Sequence, residues 1–164
     1  MTIFGISATM ALLVTGFGLR DSIIDLADIQ YDNIQLYDAM ITFSGTEEEK
    51  KDLGQWLENE KDVAASTMVH MEMVDVSTGE GDGEVYLCVP ENTEEFQTMT
   101  VFRNRVSHET YTLDGEGVLL TEWMADTLGV SEGDTITVEA EDGSSSKEVP
   151  VMGVVENYIM NYVY

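Results

Sequence analysis

The sequence predicts an α+β domain: a mixed or antiparallel sheet with short helices, preceded by a membrane-derived N-terminal helix that continues outward as a stalk. Three observations predict it. Ile3 to Leu19 is an almost unbroken apolar run, closed by Arg20 and Asp21. The residues after it alternate strand-like runs with capped helical ones, separated by turn sequences and free of repeats or a long linker. The formal net charge of −25, from 32 acidic and 7 basic residues, describes a surface immersed in water.

The apolar run divides the chain. Residues 1–19 are read as the outer part of a first transmembrane helix, 20–31 as a stalk helix and 32–164 as an extracytoplasmic α+β domain. Spanning the hydrocarbon core takes about 20 apolar residues, so the run is slightly short. Its Gly5, Gly16 and Gly18 suit a membrane helix, where small residues let neighbours approach. A signal peptide would carry a basic n-region and a small-residue cleavage site, and this run has neither. Lys and Arg gather on the cytoplasmic flank of membrane helices; their absence before Arg20 suggests a chain cut from a longer one. The other reading of the run is a buried core helix of a soluble protein.

From Arg20 to Tyr31, Ile23, Ile24, Leu26, Ala27 and Ile29 alternate with Asp21, Asp25 and Asp28, the pattern of an amphipathic stalk. Ile34 to Phe43 alternates as a strand. Thr46 and Glu49 form a capping box for a helix carrying Leu53, Trp56 and Leu57 on one face. Val63–Val76 and Glu84–Val89 read as strands joined by the Gly-rich turn at 78–83, and Thr93–Met99 as a short helix. Gly117–Leu120 is a strand. Thr121 caps the helix Glu122–Leu128, whose Trp123, Met124 and Leu128 face the core, and Gly129 ends it in the left-handed conformation. Thr135–Ala140 and Lys147–Val155 pair across a hairpin at Asp142-Gly143. Tyr158, Tyr162 and Tyr164 close the sequence. Tyrosines cluster at membrane–water boundaries, so these three, with Arg20 and Asp21, are the expected membrane-interface residues.

Composition excludes several function classes. Phosphate binding needs Lys and Arg, so seven basic residues against 32 acidic ones exclude nucleic acid as a partner and argue against docking on anionic lipid. One cysteine, Cys88, cannot build a disulfide framework. His70 and His108 have no neighbours at zinc-ligand spacing. The acids at 79–84 depart from the EF-hand pattern, and Ser144 to Ser146 lack a nucleophile-elbow context. Glu47, Glu48, Glu49, Glu94 and Glu95 sit at helix starts, where negative charge complements the macrodipole. No catalytic, cofactor-binding or metal-ligating set is expected, and the chain is not expected to be an enzyme. Met68, Met71 and Met73 crowd one strand, as core fillers or as an adaptable client surface.

Val118-Leu-Leu-Thr-Glu-Trp-Met-Ala-Asp-Thr-Leu-Gly-Val-Ser-Glu-Gly-Asp-Thr-Ile-Thr-Val138, followed by Val149-Pro-Val-Met-Gly-Val-Val155, resembles the extracytoplasmic (MacB-like periplasmic core) domain of MacB/FtsX-type ABC transporter permeases. Ala11-Leu-Leu-Val-Thr-Gly-Phe-Gly-Leu-Arg-Asp-Ser-Ile23 is similar to the end of the first membrane helix in Gram-positive members, and Glu156 to Tyr164 to their closing segment. The resemblance covers roughly the first 40 and last 50 residues. It implies a dimeric permease, homodimer or heterodimer, at the cell membrane, with its outer domain on the extracellular side. It also implies a separate cytoplasmic ABC ATPase subunit, since the chain has no P-loop, and a peptide, lipoprotein or cell-wall hydrolase as client. The function it implies is coupling of ATP hydrolysis to export or to mechanotransmission outside the membrane. The alternative from another class is a stand-alone membrane-anchored extracellular binding module with no ATPase partner.

Overall fold

The computed structural model describes residues 2–113, 115 and 117–164, with the side chains of residues 2 and 3 left undescribed. The expected membrane segment therefore begins at Met1, outside the described residues. Helix α1 (Thr2–Ile29) runs without a break through both the apolar run and the stalk sequence. Every side chain from Phe4 to Asp28 is exposed, among them Ile6, Met10, Leu12, Leu13, Val14 and Phe17. Burial begins only at its last turn, where Ile29 is half-buried and Gln30 is fully buried. Among the described residues, no helix is long and apolar enough to cross a membrane.

The sheet closes on itself. Its strands are β1 (Val69–Ser77), β2 (Asp82–Pro90), β3 (Val118–Thr121), β4 (Thr135–Ala140), β5 (Ser146–Val155) and β6 (Tyr162–Val163). They form a barrel in the order β1-β2-β6-β3-β5-β4, with β4 returning to β1. The ladder is mixed as expected: β2 with β6 and β3 with β5 are parallel, the other pairs antiparallel. Closure removes the free sheet edges that invite association.

Because successive strand side chains point to opposite faces, every strand but β4 feeds two cores. Val74, Val76, Val85, Leu120, Ile136, Val151 and Val163 fill the barrel interior. Their neighbours Cys88, Leu119, Val155 and Tyr162 point outward and pack with Phe96 and Phe102. Helix α3 (Thr93–Met99) brings Phe96 to that outer layer and is capped by Asn92, whose Oδ1 accepts from the Glu95 N–H at 3.1 Å. Helix α4 (Glu122–Leu128) adds Met124, Ala125 and Leu128 to the inner core. Thr78 Oγ1 donates to Leu128 O (3.0 Å), fixing α4 beside the β1–β2 turn.

Four expectations need correction. Ile34 to Phe43 is not a strand: among the described residues it pairs only through one bridge between Gln35 and Thr100, and Leu36, Met40, Ile41 and Phe43 are exposed. The strand read from Val63 starts at Val69, where pairing with Pro90 begins. Trp123 is 60% exposed, because the inward side of so short a helix is taken by Met124, Ala125 and Leu128. Thr121 does not cap α4 with its side chain; its Oγ1 is buried and accepts from the Tyr162 N–H at 3.2 Å instead. The capping box is present on helix α2 (Glu47–Asn59), where Thr46 Oγ1 accepts from the Glu49 N–H and Glu49 Oε2 from the Thr46 N–H. No residue of α2 is buried, Trp56 included.

Candidate functional site

The root of α1 is where a helix with an exposed apolar surface meets the barrel. A π-turn, Gln30–Ile34, ends the helix, with the Gln35 N–H donating to Gln30 O at 2.8 Å. Wider π-turns often mark functional positions in helices; here the turn buries both Gln30 and Ile34. Ile34 O then accepts from the Val101 N–H, and the Leu36 N–H donates to Met99 O, each at 2.8 Å. The chain leaving the helix is thereby sewn to the segment that follows α3.

Gln30 makes the second attachment. Its Nε2 donates to Asn157 Oδ1 and its Oε1 accepts from the Tyr158 N–H, both at 2.8 Å. Asn157 Nδ2 in turn donates to Ile159 O (2.6 Å) and Met160 O (2.7 Å), holding a tight turn in which Met160 takes φ +62°. A primary amide suits this seat because it offers a donor and an acceptor with no charge to desolvate.

A third layer of polar contacts lies beneath. Glu156, 5% exposed, accepts from Arg103 Nε at 2.7 Å and from the Tyr158 hydroxyl at 2.5 Å. The Glu156 N–H also donates to Arg103 O at 2.8 Å. Burial, then the Glu156 carboxylate, pushes the Tyr158 hydroxyl up to about 12. Arg105 forms a two-pronged pair with Glu122 at the start of α4, at 2.8 and 2.9 Å. From α1 to α4, the root is lined by paired polar groups.

The expected interface residues fall in two places. Arg20 and Asp21 stand exposed on α1, with Arg20 Nη1 3.9 Å from Asp21 Oδ1. Tyr158 lies at the root surface beside Gln30. Tyr162 and Tyr164 fill the outer core instead: their rings stack at 5.2 Å, and Phe102 meets Tyr164 edge-on at 4.8 Å. Burial raises the Tyr162 hydroxyl to about 12 and that of Tyr164 well above its usual range. The residues that build the root, Gln30, Arg103, Glu156 and Asn157, went unnoticed in the sequence. A glutamine ending an amphipathic pattern looks like any solvated residue, and nothing local signals a partner 127 positions away.

Other chemistry-bearing residues stay apart. His70 is exposed beside Glu72 at 3.5 Å. His108 occupies a turn at φ +57°. Burial pushes the Cys88 thiol up to about 12. Among the described residues, no three His, Cys, Asp or Glu side chains are grouped to hold a metal ion.

No protein-family profile matches the sequence, and no curated protein matches it. Among solved structures, a match is the crystal structure of the extracellular domain of the noncanonic ABC-type transporter YknZ from Gram-positive bacteria. The identity is 17% and the TM-score 0.49, over 74% of this chain. The chain spans 62% of that domain's length, and the structure described here is similar to it.

Proposed function

We propose that this chain is the extracytoplasmic domain of a MacB/FtsX-like ABC transporter permease, which passes the motion of a cytoplasmic ATPase to a client outside the membrane. The observation that carries the reading is α1: apolar around its circumference from Phe4 to Leu19, exposed from Phe4 to Asp28, and joined to the domain through Gln30 and Ile34 of the π-turn that follows it. A helix that is apolar on all sides needs a nonaqueous surrounding, and lipid supplies it. The sequence phrases at 11–23, 118–138 and 149–155 support the same family.

In this reading the π-turn and the Gln30 amide form a stiff joint. A tilt of α1 is carried directly into the segment at Asn157 and Tyr158, and through Glu156 and Arg103 into the end of β5. The barrel then moves as a body, a hinge motion pivoting about the membrane. A permease partner copy, a separate ATPase subunit, and a peptide, lipoprotein or cell-wall hydrolase client complete the assembly.

The test is isolation of the native protein from its host by gentle detergent extraction, with mass spectrometry of what accompanies it. The expected result is recovery from the membrane fraction together with a P-loop ATPase. Recovery from membranes without an ATPase would favour the anchored binding module. Recovery from the aqueous fraction would overturn both.

A further inference from the structure

Beside the root, a cavity of about 30 Å³ lies between the outer core and the irregular segment that follows the π-turn. It is partly open to solvent, and Gln35, Tyr37, Met40, Cys88, Thr100 and Tyr162 are among the residues that line it. Thr100 is 3% exposed, and its Oγ1 is the one buried side-chain polar atom, among the described residues, with no hydrogen-bond partner in the protein. Its N–H donates to Phe96 O at 2.9 Å, while the buried hydroxyl has no partner in the protein. An unpaired buried hydroxyl is costly, and in native proteins such groups nearly always find a partner or an ordered water.

The space fits a particular guest. Roughly 10–15 Å³ of such volume holds one water, so the cavity takes one or two and excludes a drug-sized ligand. None of its lining residues carries a formal charge, which leaves an ion without compensation. Burial raises the Tyr37 hydroxyl, the Cys88 thiol and the Tyr162 hydroxyl still further above neutrality. We propose that this cavity is a hydration site of the α1 root, holding one or two long-lived waters anchored on Thr100 Oγ1, with Gln35 and Tyr37 as further polar partners. Because Thr100 is bridged to Gln35, the first residue beyond the π-turn, the water sits where the helix enters the barrel.

The experiment counts long-lived internal waters in the full chain, in detergent, by oxygen-17 magnetic relaxation dispersion, comparing the native protein with Thr100→Val and Thr100→Ser. The proposal expects one or two fewer in Thr100→Val, retention in Thr100→Ser, and no rise in the melting temperature of the valine variant. An unchanged count with a melting temperature raised by several degrees would show a dry, unpaired hydroxyl and overturn it. If the valine variant fails to fold, a high-resolution crystal structure of the native chain decides: one or two isolated density peaks within hydrogen-bond reach of Thr100 Oγ1 support the site, and an empty cavity or a larger continuous feature refutes it.

Discussion

Gln30 Nε2 donates to Asn157 Oδ1 at 2.8 Å, and this one amide contact, across 127 positions of sequence, ties the end of α1 to the segment leading out of β5. The Tyr158 N–H completes the clasp on the other side of the same amide. Replacing Gln30 by Leu keeps the bulk and deletes both contacts, leaving Asn157 Oδ1 and the Tyr158 N–H without that partner. An unpaired buried group costs about 1–3 kcal/mol, so Gln30→Leu is expected to lower stability by roughly 3 kcal/mol in urea denaturation. Gln30→Glu, which has no amide donor to face the Asn157 oxygen, is expected to be damaging too. A loss below about 0.5 kcal/mol would show the clasp to be incidental.

Arg103 and Glu156 form a pair in which the carboxylate is buried and the guanidinium is partly covered. Removing the cation alone strands a buried charge, at a cost of about 3–5 kcal/mol. Arg103→Met should therefore destabilise far more than the double variant Arg103→Met/Glu156→Gln. Equal losses in the two would mean the carboxylate is held by Tyr158 without need of the arginine.

Gly153 lies under the Tyr111 ring: a Cβ there would stand 2.6 Å from ring carbons Cδ1 and Cε1. Gly153→Ala must displace the ring, and overpacking of this kind costs about 1–3 kcal/mol. Tyr111→Ala in the same chain should recover part of that loss in a double-mutant cycle. Additive effects would place the strain elsewhere.

Burial holds the hydroxyls of Tyr158 and Tyr162 up at about 12, against an ordinary value of 10.0. The folded state keeps these protons where the unfolded chain releases them. Their contribution to stability is thus fully present below pH 10 and is lost as pH rises from about 10 to 12. Denaturation midpoints should fall over that interval, and ultraviolet titration should show late-ionising tyrosines, one fewer in Tyr158→Phe. A titration in which all tyrosines ionise near pH 10 with the fold intact would refute the assignment.

The thiol of Cys88 is buried and pushed up to about 12, and the thiolate is the reactive form. The native chain is expected to be inert to aromatic disulfide reagents at pH 8 and to react with one equivalent once unfolded. Prompt reaction of the native form would mean that the outer core opens readily at Cys88.

Local features of the sequence translated well into structure. The Thr46 and Glu49 capping box, the helix Thr93–Met99, the left-handed Gly129 and the Thr135–Ala140 strand all stand where their patterns put them, because caps and periodicities depend on neighbours within a turn or two. The mixed sheet was legible, its closure into a barrel was not: closure rests on a two-residue strand, too short to leave a period. Tyr162 and Tyr164 were read from residue type as boundary aromatics, yet the pairing of Tyr162 with Tyr86 turns its ring into the outer core. Ile34 to Phe43 shows the converse failure, since alternation describes a surface able to pair and cannot supply the partner. The α1 root was invisible for a related reason: its members lie in separate stretches of chain, and each is an ordinary polar residue.

The two-residue strand β6 also governs the order of assembly. It bridges β2 to β3, with Val163 opposite both Leu87 and Leu120, and its flanking Asn161 and Tyr164 add backbone hydrogen bonds to Tyr86 and Leu119. As the chain leaves the ribosome, every other strand emerges first, and β2 and β3 wait as bare edges able to recruit foreign strands. Sealing them depends on contacts distant in sequence, the kind that slow folding and lengthen exposure to aggregation. The edges of β2 and β3 therefore stay open until β6 is made, and close together in one step.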